Sequence, residues 1–588
     1  MNFEVKEEFY VDGQPIKLIS GAVHYFRIAP THWRQTLQNL QAMGCNCVET
    51  YIPWNLHEPQ KGTFDFTGIA NVTKFLDIAE ELGLYIIVRP SPYICAEWDF
   101  GGLPAWLLVD PSMRIRSQHP GYLQAVKEYY HVLLPKLAPY QVTRGGRLLL
   151  VQVENEYGSY GEDKMYLKFL AEELRRYFDV PLVTSDGGWE EVLEAGTLPQ
   201  EGILATANFG SDANENFKWL QNYQEKNGLK EPYMCMEFWD GWFNSWGKPI
   251  IRRDPQETAE EVRQVLKKGS INFYMFQGGT NFGFYNGCSD AGATNEPQIT
   301  SYDYDAPLTE WGMPTEKYFA IQKVIQEEVP TAKISKPVYP KTIYLGSYAV
   351  KESVSLFSVL EEISEPIIND YTLPMEKIGQ NFGYTLYRSQ LLNKRHIAKM
   401  KVVDGLDRVQ FFMNQQLITT QYQAELGQEF ACELTKEQNE LSLLVENMGR
   451  NNYGPKLVAD SQRKGIRSGV MEDIHYISDW EHYPLELQPE QLDKIDFTKA
   501  TIAKTPSFYK IELLLEEVGN TFLDCSSFGK GVVFVNGENI GRYWQAGPTQ
   551  SLFIPDFFWK KGINEVIIFE TEGVPIYEIH FSEAPIMA

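Results

Sequence analysis

Two glutamates stand out for the company they keep. The segment VQVENEYG (151–158) delivers Gln152, Glu154, Asn155 and Glu156 at the end of an apolar run. On an extended chain residues 152, 154 and 156 share parity and point the same way. Three polar groups on one strand face are costly to bury unless a wet cavity or a function accepts them. A second segment, MCMEFWDGWFNSWG (234–247), carries Glu237. A pair of carboxylates suits cleavage of a glycosidic bond. One is protonated and helps the leaving oxygen depart. The other is ionised and attacks the anomeric carbon, and at about 5–5.5 Å separation it bonds to the sugar directly, so configuration is retained. Mutual repulsion raises the pKa of one and separates their protonation states. Either glutamate alone reads equally well as half of a structural ion pair; the combination points to catalysis.

Such a pair needs a scaffold that aims both groups at one place. Up to about residue 325, short β-rich runs alternate with helical patterns. The runs cover 18–26, 45–52, 84–90, 147–156, 180–186, 202–209, 232–238 and 271–279. Between them, stretches such as 31–44 and 71–83 repeat apolar residues at three and four and end in glycine, as helices do. Eight such units in about 320 residues predict an α/β fold, a (β/α)8 TIM barrel over 1–330. A doubly wound sheet fits less well, because no Gly-rich phosphate loop follows the first strand. Barrel active sites sit at the C-terminal strand ends. Glu156 ends the fourth strand and Glu237 the seventh, and both lean over the central mouth.

Beyond residue 330 helical periodicity fades. ISKPVYPKT (334–342) reads as a connector, and 331–395 as connector plus the first strands of a β region. Two β-sandwich, jelly-roll-like domains are expected at 396–500 and 501–588. They resemble each other: DRVQFFMNQQLITT (407–420) parallels KGVVFVNGENIGRYW (530–544), and NELSLLVENMG (439–449) parallels INEVIIFETEG (563–573). Buttressing the barrel is the plain role for most of their surface.

Composition narrows the partners. A net charge of −25 disfavours nucleic acid or an anionic membrane as the main partner. No apolar run approaches the length of a membrane span. The N-terminal segment lacks a basic stretch followed by an apolar one, so a cytoplasmic location is expected, with surface association by another route left open. The seven cysteines are an odd number without a CxxC pair, which fits a reducing compartment. The histidines are scattered, and neither a metal nor another cofactor is expected. Aromatic residues reach 13%, enough to supply sugar-stacking plates as well as a core. The expected partner is a small carbohydrate; a homodimer is left open.

The motifs resemble glycoside hydrolase family 35, the β-galactosidases. Around its acid/base that family reads Gly-Gly-Pro, aliphatics, then Gln-x-Glu-Asn-Glu-Tyr; here the stretch is GGRLLLVQVENEYGSYG, with Arg147 in place of Pro. By this match Glu156 is the acid/base, Asn155 bonds the sugar 2-hydroxyl, and Glu237 in MEFWDGW is the nucleophile. ETYIPWNLHEP (49–59) implies that Tyr51 contacts galactose. RPSPYICAEWDFGGLPAWL (89–107) implies that Glu97 grips galactose hydroxyls, with the backbone of Cys95 and Ala96 nearby. GGTNFGF (278–284) and TSYDYDAPLTEWG (300–312) match the eighth strand and the loop beyond it, with Tyr304 lining the site. NMGRNNYG (447–454) and GKGVVFVNGENIGRYW (529–544) match the sandwich domains. For Cys95 the plain reading is packing, and for Tyr304 it is a loop anchor.

Trp239, Trp242 and Trp246 lie within ten residues of Glu237, with Gly241 among them. Packing under a loop would explain them. The alternative is a rigid aromatic wall beside the leaving sugar, with Trp239 and Trp242 as plates and Tyr453, from the first sandwich, completing it. The expected activity is thus an exo-acting, retaining β-galactosidase that prefers Galβ1-3 linkages to N-acetylhexosamine. A broad β-galactosidase on lactose or galactan, and an inactive galactose-binding protein, are the competing readings.

Overall fold

The computed structural model describes residues 1–90 and 92–588. Eight parallel strands close into a barrel: β1 (Ile19–Val23), β2 (Cys47–Tyr51), β3 (Tyr85–Arg89), β4 (Leu148–Gln152), β5 (Leu182–Gly187), β6 (Leu204–Phe209), β7 (Met234–Trp239) and β8 (Ser270–Gln277). They pair in chain order and β8 closes on β1. Each falls within or against one of the eight predicted runs. All eight are nearly solvent-free along their length, with β3 reading YIIVR and β4 LLLVQ, the pattern of strands covered on both faces.

The helices that cover the barrel begin and end where local chemistry dictates. α1 (Trp33–Met43) stops at Gly44, whose φ of +107° is open to glycine. α2 (Val72–Glu81) starts at Asn71, whose side chain accepts from Lys74 N. After α3 (Pro120–Leu137), α4 (Lys164–Arg175), α5 (Glu190–Gly196) and α6 (Ala213–Asn227), α7 (Pro255–Lys268) combines an Asp254 cap with proline in its first turn. α8 (Glu316–Glu328) completes the ring. Arg147, the departure from the family pattern, sits just before β4 and donates its backbone N–H to Glu80 Oε1 at 3.0 Å. Proline could not make that bond.

Two sandwiches follow. In the first, a six-stranded sheet ordered Ile367–Asn369, Trp480–Leu485, Tyr384–Leu392, Gln438–Glu446, Arg408–Met413, Gln416–Tyr422 faces a four-stranded one. The second has five- and four-stranded sheets. The division expected at 395/396 does not follow the strand pairing. Tyr384–Leu392 lies inside the first sandwich, whereas Glu352–Ser355 pairs with Ser507–Leu515 of the second. The first sandwich is therefore inserted into the second. A four-residue strand whose partner lies some 150 residues away carries no local signal of its allegiance.

The internal repeat is real at atomic detail. Asn414 and Asn536 both adopt φ of +51° at a hairpin turn. Asn414 N donates to Glu440 O at 2.8 Å, and Glu440 N returns a bond to Asn414 Oδ1 at 3.1 Å. Asn536 and Glu565 make the same two bonds at the same distances. Asparagine suits the site because it tolerates the left-handed region while its amide clamps the next strand.

The sandwiches meet over a buried charge cluster. Glu446 accepts from Lys530 Nζ at 2.5 Å and Arg542 Nη1 at 3.0 Å, and lies 3.4 Å from Arg408 Nη1. Burial pushes the Lys530 ammonium down to about 8. Removing the carboxylate would leave cations in a dry interface without their counter-charge. Glu446→Gln is expected to cost about 3–5 kcal/mol, read as a lower urea midpoint; Glu437→Gln, in an exposed pair with Lys394, should leave the midpoint in place.

Candidate active site

At the C-terminal barrel mouth, one cation organises the polar groups. Arg89, the last residue of β3, is fully buried. Its Nη2 lies 2.7 Å from Glu237 Oε1 and donates to Asn155 Oδ1 at 2.7 Å, and its Nε donates to Gln152 Oε1 at 2.7 Å. Its guanidinium lies 3.8 Å from the centre of the Tyr51 ring and, through Nη1, 3.8 Å from Glu49. Tyr51 Oη donates to Asn155 Oδ1 at 2.7 Å or to Glu237 Oε1 at 2.6 Å. Trp239 Nε1 donates to Glu237 Oε2 at 3.1 Å. Glu237 is thus surrounded by donors, the surroundings suited to an acceptor-only carboxylate.

Glu156 has a different environment. Its Oε1 accepts one bond, from Asn208 Nδ2 at 2.9 Å. Burial, and then the negative charge of Glu237, push its carboxyl up to about 7; the Asn208 bond and Arg89 oppose the rise. Two carboxylates face one cavity, one ringed by donors and the other held near neutrality in its proton affinity.

Glu154 does not share a strand face with Glu156. β4 ends at Gln152, and both Glu154 (φ +55°) and Glu156 (φ +46°) are left-handed, so the two glutamates are not successive positions on a strand face. Glu154 takes a bidentate pair of bonds from Arg116, each 2.8 Å, and one from Tyr166. Gln152 is held by Arg89. Buried polarity along this segment is therefore mostly satisfied structure, and only Asn155 and Glu156 face the cavity.

Cys95, Ala96 and Glu97 are three consecutive left-handed residues, with φ of +58°, +52° and +50°. Such a turn is strained for side-chain-bearing residues and is held by its surroundings. Ala96 O accepts from Arg27 Nη2 at 2.5 Å, Glu97 O accepts from Gly287 N at 2.8 Å, and Asn452 Nδ2 reaches Cys95 Sγ at 3.4 Å. Arg27 lies 3.6 Å over the ring of Tyr302, whose hydroxyl donates to Glu97 Oε2. Burial raises the Glu97 carboxyl to about 7. Ser91, within the same sequence segment, lies outside the described residues.

The aromatic residues form the outer part of the cavity. The rings of Trp239 and Trp242 stand 5.9 Å apart, edge to face, and Trp242 is 38% exposed. Gly241 between them is obligatory, since a Cβ there would meet Tyr304 O at 1.7 Å. Trp246 is not part of this wall: it packs on Trp544 of the second sandwich, 6.1 Å between rings. Its role is the domain contact, which spacing along the sequence could not separate from the wall. Tyr453, 48% exposed, arrives from the first sandwich on the 447–454 loop. That loop is fixed by buried Arg450, which pairs with Asp99 at 3.1 Å and Glu376 at 2.7 Å, and by Tyr93 Oη donating to Asn452 O at 2.5 Å.

These groups enclose a cavity of about 610 Å³ lined by Glu156 and Glu237, Tyr51 and Asn155, Cys95 to Glu97, Tyr304, Trp239 and Trp242, and Tyr453; Gln152, Glu154 and Trp246, also singled out from the sequence, do not line it. Sequence reasoning does not single out Arg89 or Asn208, which stand behind the wall, nor Tyr274 and Trp189, which line it. For Arg89 and Asn208 a signal exists. Each is a polar residue at or next to the C-terminal end of a buried barrel strand, the same rule that finds Glu237.

The profile of glycosyl hydrolases family 35 matches residues 8–328. Profiles of the first all-beta domain and of the galactose-binding domain of beta-galactosidase match 372–486 and 506–564. A beta-galactosidase of Felis catus is 38% identical over 96% of this chain and 88% of its own length. One from Xanthomonas manihotis is 37% identical over 93% and 90%, and beta-galactosidase 17 of Arabidopsis thaliana is 35% identical over 97% and 87%.

The arrangement makes a prediction independent of any substrate. Glu237 disfavours ionisation of Glu156, so Glu237→Gln should move the Glu156 titration below its wild-type value near 7. The carboxyl carbon shift of labelled protein, assigned against Glu156→Gln, reads this directly; an unmoved titration would mean the two groups are not coupled.

Proposed function

The chain belongs to glycosyl hydrolase family 35, and on that basis we propose that it is an exo-acting, retaining β-galactosidase that prefers terminal Galβ1-3 linked to N-acetylhexosamine. The observation that carries the reading is the pair of unlike carboxylates in one cavity, Glu156 raised to about 7 and Glu237 ringed by Arg89, Tyr51 and Trp239. In this reading Glu237 attacks the anomeric carbon while Glu156 gives its proton to the leaving oxygen. Glu156 then takes a proton from the water that releases galactose. A binding protein would have no use for such a pair.

The neighbours fit galactose recognition. Asn155 Oδ1 faces donors on Tyr51, Arg89 and Gln152, which leaves its Nδ2 hydrogens for the 2-hydroxyl. Glu97, braced by Tyr302, offers carboxylate oxygens to ring hydroxyls. Exo action is supported by a cavity whose inner wall is the buried Tyr51–Glu237 group, so that a terminal sugar enters first. Linkage preference is supported by the fixed Trp239–Trp242 corner and by Tyr453, because rigid plates on the leaving-group side accept only some angles between the two sugars.

Glu237→Gln should abolish turnover while galactose still binds, and Glu156→Gln should slow hydrolysis of disaccharides by about 10²–10⁴-fold. Because Glu156 must carry a proton at the first step, kcat/KM should fall as pH rises through about 7. The Asn208 bond favours the ionised form of Glu156, so Asn208→Ala should move that limb to higher pH. Galactose release from Galβ1-3GlcNAc should exceed that from Galβ1-4GlcNAc, and Trp239→Ala or Trp242→Ala should erode the ratio. Equal cleavage by the wild type would leave a broad β-galactosidase.

A further inference from the structure

Trp189 is an exposed indole on the wall of the same cavity, and neither the galactose site nor the Trp239–Trp242 corner uses it. It is 44% exposed. It follows β5 in the sequence DGGWE and sits immediately before α5 (Glu190–Gly196), where Leu193 N donates to its carbonyl at 3.1 Å. Its six-membered ring lies across Gly187: a Cβ there would stand 2.5 Å from Cζ3 and 2.7 Å from Cη2. The neighbouring Gly188 is pressed as closely by Asn216, whose Oδ1 would meet a Cβ at 2.5 Å. The absence of a side chain at Gly187 thus lets a large ring pack closely on the backbone, while Gly188 makes room for Asn216.

The segment is tied to the acid/base. Glu156 N donates to Ser185 O at 2.9 Å and Gly158 N to Asp186 Oδ1 at 2.8 Å. A Cβ on Gly158 would strike Val192 O in α5 at 2.0 Å. The plate and Glu156 therefore share one interlocked unit. A proton donor stands on the leaving-group side of the scissile bond, so a ring fixed to its support flanks the leaving group. Ser159, exposed between Glu156 and the rim, supplies a hydroxyl that Tyr453 also reaches.

We propose that Trp189 forms a further sugar subsite on the leaving-group side, which takes the third residue of a galactose-terminated oligosaccharide by stacking the CH face of its ring on the indole. This rests on the proposed β-galactosidase reading and extends it: the preferred substrate would be a chain longer than a disaccharide. A half-exposed indole seated on glycine offers a flat apolar face beside polar rim groups, the surroundings that a pyranose requires. Because the ring is already held in place, little ordering is lost when a sugar lands on it.

The test compares kcat/KM for Galβ1-3GlcNAc and for the trisaccharide that extends it by one β-linked galactose at its reducing end. In the wild type the trisaccharide should be favoured by about fivefold. Trp189→Ala should bring the ratio close to one, Trp189→Phe should keep part of it, and Gly187→Ala, which displaces the ring without removing it, should lower it. A wild-type ratio near one, or a ratio that survives Trp189→Ala, would overturn the subsite. Failure to release galactose from either sugar would instead overturn the activity on which it rests.

Discussion

The site depends on burying one positive charge. A guanidinium taken wholly out of water is tolerated only when counter-charge and acceptors surround it. Arg89 obtains them from different strands: Glu49 from β2, Gln152 from β4, Asn155 just past it, and Glu237 from β7. Satisfying the cation therefore fixes the relative heights of strands that are not neighbours in the barrel. Glu237 is aimed as a by-product of that requirement. Glu156, one residue beyond Asn155, inherits its place from the same tie. Burial and then the charge of Glu237 raise its proton affinity, opposed by a single amide donor where Glu237 has a cation, a phenol and an indole.

The mouth of a barrel leaves its loops unsupported, and here the sandwiches supply the support. Arg450 spans from Asp99 on a barrel loop to Glu376 on the first sandwich, with both partners buried. Arg542 of the second sandwich bonds Asn286 of the barrel and the carbonyl of Asn447 in the first. The loop bearing Asn452 and Tyr453 is thus fixed from three sides before it reaches the cavity. Insertion of one sandwich into the other suits this arrangement, because it fastens both ends of the first to a domain that packs on the barrel through Trp246 and Trp544.

Much of this was legible in the sequence, and the limits have physical causes. The barrel strands could be read because strands buried on both faces are continuous apolar runs, and the turn asparagines because the same clamp occurs twice. Glu156 and Glu237 could be read as candidates because barrel active sites lie where such runs end. Glu154 misled because parity holds only while the chain stays extended, and the strand ends two residues before it. Trp246 and Trp242 differ by four positions yet face different domains, which no spacing rule resolves. The partner of Glu352–Ser355 was hidden because strand pairing over some 150 residues leaves no local trace. Arg89 obeys the strand-end rule yet does not stand out in the sequence, since a lone cation suggests no reaction; its importance lies in what it holds.

Backbone strain explains why the pieces cannot be separated. Cys95, Ala96, Glu97, Glu156, Tyr304 and Asp305 all hold φ between +46° and +61°, and each such residue costs about 1–2 kcal/mol in an unsupported chain. Left to itself a barrel loop would relax and turn Glu97 or Glu156 away. One bond that opposes relaxation comes from barrel strand β5, Ser185 O on Glu156 N, and others come from outside the strands: Gly287 N on Glu97 O and Asn452 on Cys95. Asn452 belongs to the first sandwich. That domain therefore does more than supply Tyr453 to the rim, because it helps to hold the strained turn from which Glu97 faces the cavity. The active geometry belongs to the barrel and the first sandwich together.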